Sequence, residues 1–302
     1  MSTSWVAAAV RARSLARRRL GAAGARRLAA SDSAEQAVVA LAETAYGHDV
    51  APTATLAQAQ HAVAATLLWH LRVLGGWVPR SGVPALRALA AGFEVANVDE
   101  HLRALRGEPA GPTFRLGSFA TAWPRLRATT SVHDLREVLT TSTWGDPGAD
   151  SARAITLYLR ASWTVRVART VPMTSRWMSG AAALLIQREV MLGPGMMPES
   201  VVRAVEPLLG ASWSDVRGLT RHAQAGWAVR DVREPTDLWR AEAGFWRQVE
   251  RDAFAQLRGS SFDIEPTVAA LALLAVDAWR VRAALETAAG QHDDLELFDA
   301  VA

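Results

Sequence analysis

The chain has no cysteine and no lysine. The first absence excludes disulfides, thiolate metal sites and a cysteine nucleophile. The second excludes a phosphate-loop lysine, a Schiff-base lysine and a kinase-type lysine together, and every basic side chain is an arginine. Long apolar runs are missing as well. Residues 268–276 stop at Asp277, and residues 181–186 stop at Gln187. Both fall well short of the roughly 20 apolar residues that a membrane-spanning helix needs. The short run at 6–10 is interrupted by Arg11, so no secretory leader is read there. No stretch alternates β-branched and polar residues for long enough to read as a strand.

What is present points to a helical, globular chain. Its 302 residues suffice for one large core or two to three smaller ones. Half the residues are hydrophobic and 21% are charged, which is ordinary for a folded protein. The net charge of +3 is unevenly placed. Residues 1–30 hold seven arginines and no carboxylate, whereas Glu286, Asp293, Asp294, Glu296 and Asp299 crowd the C-terminal end without an arginine. The all-arginine usage reads as the signature of a GC-rich genome rather than of nucleic-acid binding. Residues 4–30 read as one arginine-rich helix broken at Gly21 and Gly24. Arg11, Arg13 and Arg17 on it are candidate partner contacts.

An internal repeat organises the rest. Pro84 opens a helix, Leu86, Leu89, Phe93 and Ala96 form an apolar face, Glu94 and Asn97 sit beside it, and Gly107 stops it. Near the C-terminus Pro266 opens, Leu271, Leu274, Ala278 and Val281 form the stripe, Asp277 and Arg280 lie one turn apart, and Gly290 stops. Shifting the first stretch by 183 positions places Glu94 on Asp277, Leu102 on Leu285 and Gly107 on Gly290. A looser middle copy lies at 176–193, with Gln187, Arg188 and Glu189 as its polar insert.

Between these copies run shorter helices that end in an aromatic–glycine turn, at Tyr46-Gly47, at Trp144-Gly145 and, in inverted order, at Gly226-Trp227. Long apolar helices follow at 56–78, 150–170 and 237–257. The reading is all-α, with three related helical units at 1–110, 111–195 and 196–302, each ended by its closing helix. Glu94, Asn97, Asp277 and Arg280 are expected to fix helix packing. Of the 12 tryptophans, Trp69, Trp239, Trp246 and Trp279 are expected in the core. Trp144 and Trp227, at turns, are candidate exposed anchors for a partner.

No pattern of catalytic chemistry competes with the repeat. The histidines form neither a His-Glu-x-x-His nor a Glu-x-x-His array, and His70 reads as a packing residue. No catalytic residue, metal site or cofactor is expected. A metal-dependent helical enzyme using Asp293, Asp294 and Glu296 is the alternative from a different class, and a free-standing helical scaffold is another.

Several distributed segments carry a family likeness. They are Trp5-Val-Ala-Ala-Ala-Val-Arg-Ala-Arg-Ser14, Leu41-Ala-Glu-Thr-Ala-Tyr-Gly47 with Leu139-Thr-Thr-Ser-Thr-Trp-Gly145, Phe93-Glu-Val-Ala-Asn-Val98 followed by Leu102-Arg103, Leu116-Gly-Ser-Phe119, and Ala275-Val-Asp-Ala-Trp-Arg-Val-Arg282. In order, the chain resembles the V/A-type ATPase subunit called d in vacuolar enzymes and C in archaeal and bacterial ones. The resemblance implies three helical bundles arranged as a funnel or socket and a non-catalytic role. It implies central-shaft subunits and the membrane rotor ring as partners, ion transport as the process served, and a cytoplasmic place peripheral to the cell membrane.

Overall fold

The computed structural model describes residues 3–193, 196–210 and 216–290. Among the described residues every regular element is a helix and none is a strand. The chain's internal contacts group it into two units, one made of residues 1–83 with 246–302 and one of residues 84–245. This grouping does not follow the three-unit boundaries at 110 and 195. It follows from the C-terminal helix, which packs with the N-terminal ones.

In the first unit that helix is α13 (Glu265–Gly290). It is packed by α1 (Thr3–Ala16), α2 (Gly21–Ala29), α3 (Ala34–Ala42) and α4 (Leu56–Gly75). Leu28, Val38, Leu41, Val63, Val281 and Leu285 form part of their shared core. Leu271, Leu274, Ala278 and Val281 are buried, as the stripe predicts, but so are Ala269, Ala270, Leu273 and Val276 between them. α13 is therefore apolar around most of its circumference, which is the pattern of a central helix rather than a surface one.

The single arginine-rich helix expected over 4–30 is two helices. α1 ends at Ala16 and α2 starts at Gly21, so the break lies at 17–20. Gly21 supplies the turn with φ +73°, a left-handed conformation that a side chain would strain. Gly24, expected to break the helix, lies inside α2, buried against Leu20.

The second unit contains α5 (Val83–Leu105), α6 (Trp123–Leu126), α7 (Val132–Thr140), α8 (Ala152–Thr170), α9 (Ser175–Leu192), α10 (Glu199–Leu209) and α11 (Val216–Arg221). α12 (Leu238–Arg258) runs from this unit into the first. α8 serves two cores from opposite faces. Ile155 and Leu159 join Val98, Leu102, Leu135 and Leu139. Leu157 and Ala161 join Ile186, Val201, Val205 and Leu219. Each pair is four residues apart, one helical face.

Hydroxyl caps set several starts: Ser33 on α3, Thr55 with Gln58 as a capping box on α4, Ser131 on α7 and Ser151 on α8. Of the helix expected to run from 212 or 214 to Trp227, residues 211–215 lie outside the described residues, Val216–Arg221 is helical as α11, and a short 3₁₀ turn follows at Gly226–Ala228.

Candidate functional site

The polar residues of the repeat assemble into two buried nodes built the same way. In the first unit, Thr44 accepts the amide of Tyr46 at 3.2 Å and donates its hydroxyl to Leu41 O at 2.6 Å. In the second, Ser142 accepts the amide of Trp144 at 3.0 Å and donates to Leu139 O at 2.7 Å. The hydroxyl closes the preceding helix and turns the aromatic inward.

Each aromatic then donates to a carboxylate on a long helix. The Tyr46 hydroxyl reaches Asp277 Oδ2 at 2.9 Å, and the Trp144 indole N–H reaches Glu94 Oε1 at 2.7 Å. The same carboxylates take two successive backbone amides from a helix start. Leu20 and Gly21 donate to Asp277 at 2.9 and 2.7 Å, and Thr121 and Ala122 donate to Glu94 at 2.6 and 2.9 Å. Neither α2 nor α6 has a capping side chain of its own. A carboxylate from another helix caps each one, meeting the unpaired amides and the positive end of the helix dipole. Both acids are buried, and three donors surround each.

The surroundings of the two nodes differ. Around Trp144 the packing is tight: the Arg166 guanidinium lies 4.2 Å from the ring centroid and donates to Thr143 O at 2.7 Å, and Tyr158 donates to Trp144 O at 2.9 Å. Burial lowers the pKa of Arg166, and the nearby Glu94 opposes that shift. Around Tyr46 a cavity of about 10 Å³ remains, lined by Arg18, Tyr46, Thr66, His70 and Asp277 among others. That is about room for one water. Burial, and secondarily the neighbouring Asp277, raises the Tyr46 hydroxyl pKa well above its usual value. His70 is 5% exposed and its Nδ1 has no hydrogen-bond partner. Burial, then Arg18, pushes its pKa down to about 4.

The other polar positions also hold segments together. Asn97 pairs with both backbone groups of Phe114, accepting its N–H at 2.6 Å and donating to its C=O at 2.9 Å. Arg280 makes two 2.6 Å bonds to Glu250, joining α13 to α12. Glu250 carried no signal beyond its place on a helix, and its partnership with Arg280 required the fold.

The expected partner contacts fare unevenly. Trp144, expected as an exposed anchor, is 3% exposed. Its indole N–H is drawn inward by Glu94, so it is a core residue. Trp227 is half-buried, stacked on Phe245 at 5.6 Å, with Arg176 over its ring. Arg13 binds Leu257 O and Gly259 O, which makes it a strap within the first unit. Arg17 is exposed, and Arg11 lies 5.9 Å from the ring centroid of Trp77, itself 48% exposed. Val6 and Val10 are exposed on α1, which also carries Arg11, and Arg17 follows its last residue. Trp69, Trp239, Trp246 and Trp279, expected in the core, are half-buried at its margin, as is common for so large a side chain.

Among the described residues no group of three or more histidines, aspartates or glutamates could hold a metal ion, and no helix is long and apolar enough to cross a membrane. Asp293, Asp294 and Glu296 lie outside the described residues. The histidine nearest to acids, His133, is a surface group that pairs with Asp150 at 2.9 Å, which raises its pKa. The chain matches no family model, and no curated protein is significantly similar to it.

Proposed function

We propose that the chain is the non-catalytic coupling subunit of a rotary V/A-type ATPase, joining the central shaft to the membrane rotor ring during proton or sodium transport. The observation that carries this reading is the pair of matching nodes. The segments that resemble the family, Leu41–Gly47 with Ala275–Arg282 and Leu139–Gly145 with Phe93–Val98, meet one another in space through Asp277 and Glu94. The buried carboxylates have every donor around them in use as structure, so they serve rigidity rather than proton transfer. A part that transmits torque must not deform, and helices capped by their neighbours and close-packed around a core meet that need. In this reading the ring contact is made by exposed groups of the first unit, Val10, Arg17 and Trp77, with the half-buried Arg11 beside the Trp77 ring.

The test is co-purification of the chain with rotor-ring and shaft subunits from the same cell. The wild-type chain is expected to be retained at low salt. The Arg11→Glu/Arg17→Glu variant, which spares the structural Arg13, is expected to lose the ring while remaining folded. Failure of the wild-type chain to associate with either subunit at any ionic strength would overturn the proposal.

A further inference from the structure

Four polar side chains of α5 tether the segment that follows it. Glu94 takes the amides of Thr121 and Ala122, and Asn97 holds both backbone groups of Phe114. Glu100 Oε2 accepts the Gly111 N–H at 2.6 Å, and His101 Nε2 lies 2.9 Å from the Thr129 hydroxyl oxygen. Positions 94, 97 and 101 are three and four apart with 100 beside them, so the tethers share one side of the helix. Between α5, the tethered loop and α6 lies a cleft of about 270 Å³, lined by Glu100, His101, Thr113, Trp123 and Arg127 among others. Drug-sized ligands take clefts of roughly 300–1,000 Å³, so this one suits a small metabolite. The tethers hold its walls in place before any ligand arrives, which lowers the ordering cost of binding.

Two of the tethers use only one of their polar atoms. Glu100 is bonded through Oε2, and its Oε1 has no partner among the described residues. The Thr129 hydroxyl donates its one proton to Leu126 O at 2.7 Å, so His101 must donate from Nε2. His101 Nδ1 is then an acceptor, and burial lowers the pKa of the ring, which keeps it neutral at pH 7. Arg127 is exposed and forms no ion pair among the described residues, with Glu100 or any other acid. Trp123 is half-buried, edge-on to His101 at 6.1 Å. One cleft therefore presents an unpaired cation, a carboxylate oxygen, a neutral acceptor and an indole ring.

We infer that this cleft binds a free amino acid with an apolar side chain, its carboxylate on Arg127, its ammonium on Glu100 Oε1 and His101 Nδ1, and its side chain against Trp123. A zwitterion meets both charges at once. A simple anion would leave Glu100 repelling it, and a simple cation would leave Arg127 doing so. The indole supplies apolar contact for the side chain. The inference goes beyond the coupling reading and holds whichever partner the protein has.

Ligand-observed NMR titration of the intact chain tests it, with L-phenylalanine, 3-phenylpropionate and phenethylamine as probes. L-phenylalanine is expected to bind with a dissociation constant on the order of 1 mM, and the two probes that lack one charge about tenfold more weakly. Arg127→Gln is expected to weaken L-phenylalanine and 3-phenylpropionate about tenfold and leave phenethylamine unchanged. Glu100→Gln, which can still accept the Gly111 N–H, is expected to weaken L-phenylalanine and phenethylamine and leave 3-phenylpropionate no weaker. Arg125→Gln, on the same short helix but outside the cleft lining, is expected to change nothing. No binding of L-phenylalanine to the wild type up to about 10 mM would overturn the inference. So would either single-charge probe binding as tightly as L-phenylalanine, or L-phenylalanine binding that Arg127→Gln and Glu100→Gln leave intact. Both substitutions fall on side chains outside the core, and circular dichroism confirms that each variant is folded.

Discussion

The Asp277 node and the Glu94 node perform one task with different chemistry. Each uses a carboxylate on a long helix to cap a second helix and to hold the aromatic that ends a third. In the first unit the aromatic is a tyrosine, and a one-water cavity beside it exposes the node to an unpaired, buried His70. In the second unit it is a tryptophan, sealed by Arg166 and Tyr158 with nothing titratable left unpaired beside the ring. The shared part is what a helical bundle needs, namely partners for amides that no local side chain caps. The differing part sets how each unit responds to acid, so the two should separate under perturbations that treat the carboxylates alike.

The largest effect is expected from removing the carboxylates. Asp277→Ala and Glu94→Ala each strand two backbone amides and one aromatic donor, a loss of about 3–5 kcal/mol by urea denaturation. Near-equal losses would uphold the equivalence of the nodes. A loss below about 1 kcal/mol at either one would break it.

Acid should then divide the units. His70 has an ordinary pKa of 6.5 when unfolded and about 4 in the fold. As pH falls through that window the unfolded chain takes up a proton that folded His70 refuses, so stability is lost between pH 6.5 and 4. The loss is on the order of 3 kcal/mol when the window has been crossed. Stability measured against pH should flatten across this window in His70→Leu, which removes the titration. A slope unchanged by that substitution would assign the acid sensitivity elsewhere.

The smallest effect concerns the donors. Tyr46→Phe and Trp144→Phe each delete one hydrogen bond to a carboxylate, worth about 1.5–3 kcal/mol. Trp144→Phe should cost the more, because it also shrinks the ring that Arg166 covers, worth roughly another 0.5–1 kcal/mol. The reverse order would mean that the cavity beside Tyr46 penalises the lost hydroxyl more than the sealed site penalises the smaller ring.

Much of this was legible in the chain. The 183-residue shift that set Glu94 on Asp277 paired two residues that proved to do the same work, and the aromatic–glycine turns marked their partners. The stripe at Leu86, Leu89, Phe93 and Ala96 was misleading. Leu89, Phe93 and Ala96 are only half-buried, while Glu94 and Asn97 are buried completely. A periodicity count scores acids and amides as outward-facing, and it has no means of knowing that another segment will bring amides to meet them. Trp144 was misplaced at the surface for the same reason, since a turn position says nothing of an acceptor 50 residues away. Gln187 could be seen only as a loose match, because its complete burial exists only in three dimensions.

The sequence by itself determined the helices, through apolar spacing and hydroxyl caps, and determined which residues of the repeats correspond. These are local properties of spacing and side-chain chemistry. Only the tertiary structure decided that the C-terminal helix completes the N-terminal unit and that the carboxylates cap helices distant in the chain. Each of those depends on hydrogen bonds between segments from about 25 to more than 250 residues apart. Their donors and acceptors are present in any order of the chain, and packing alone selects which of them meet.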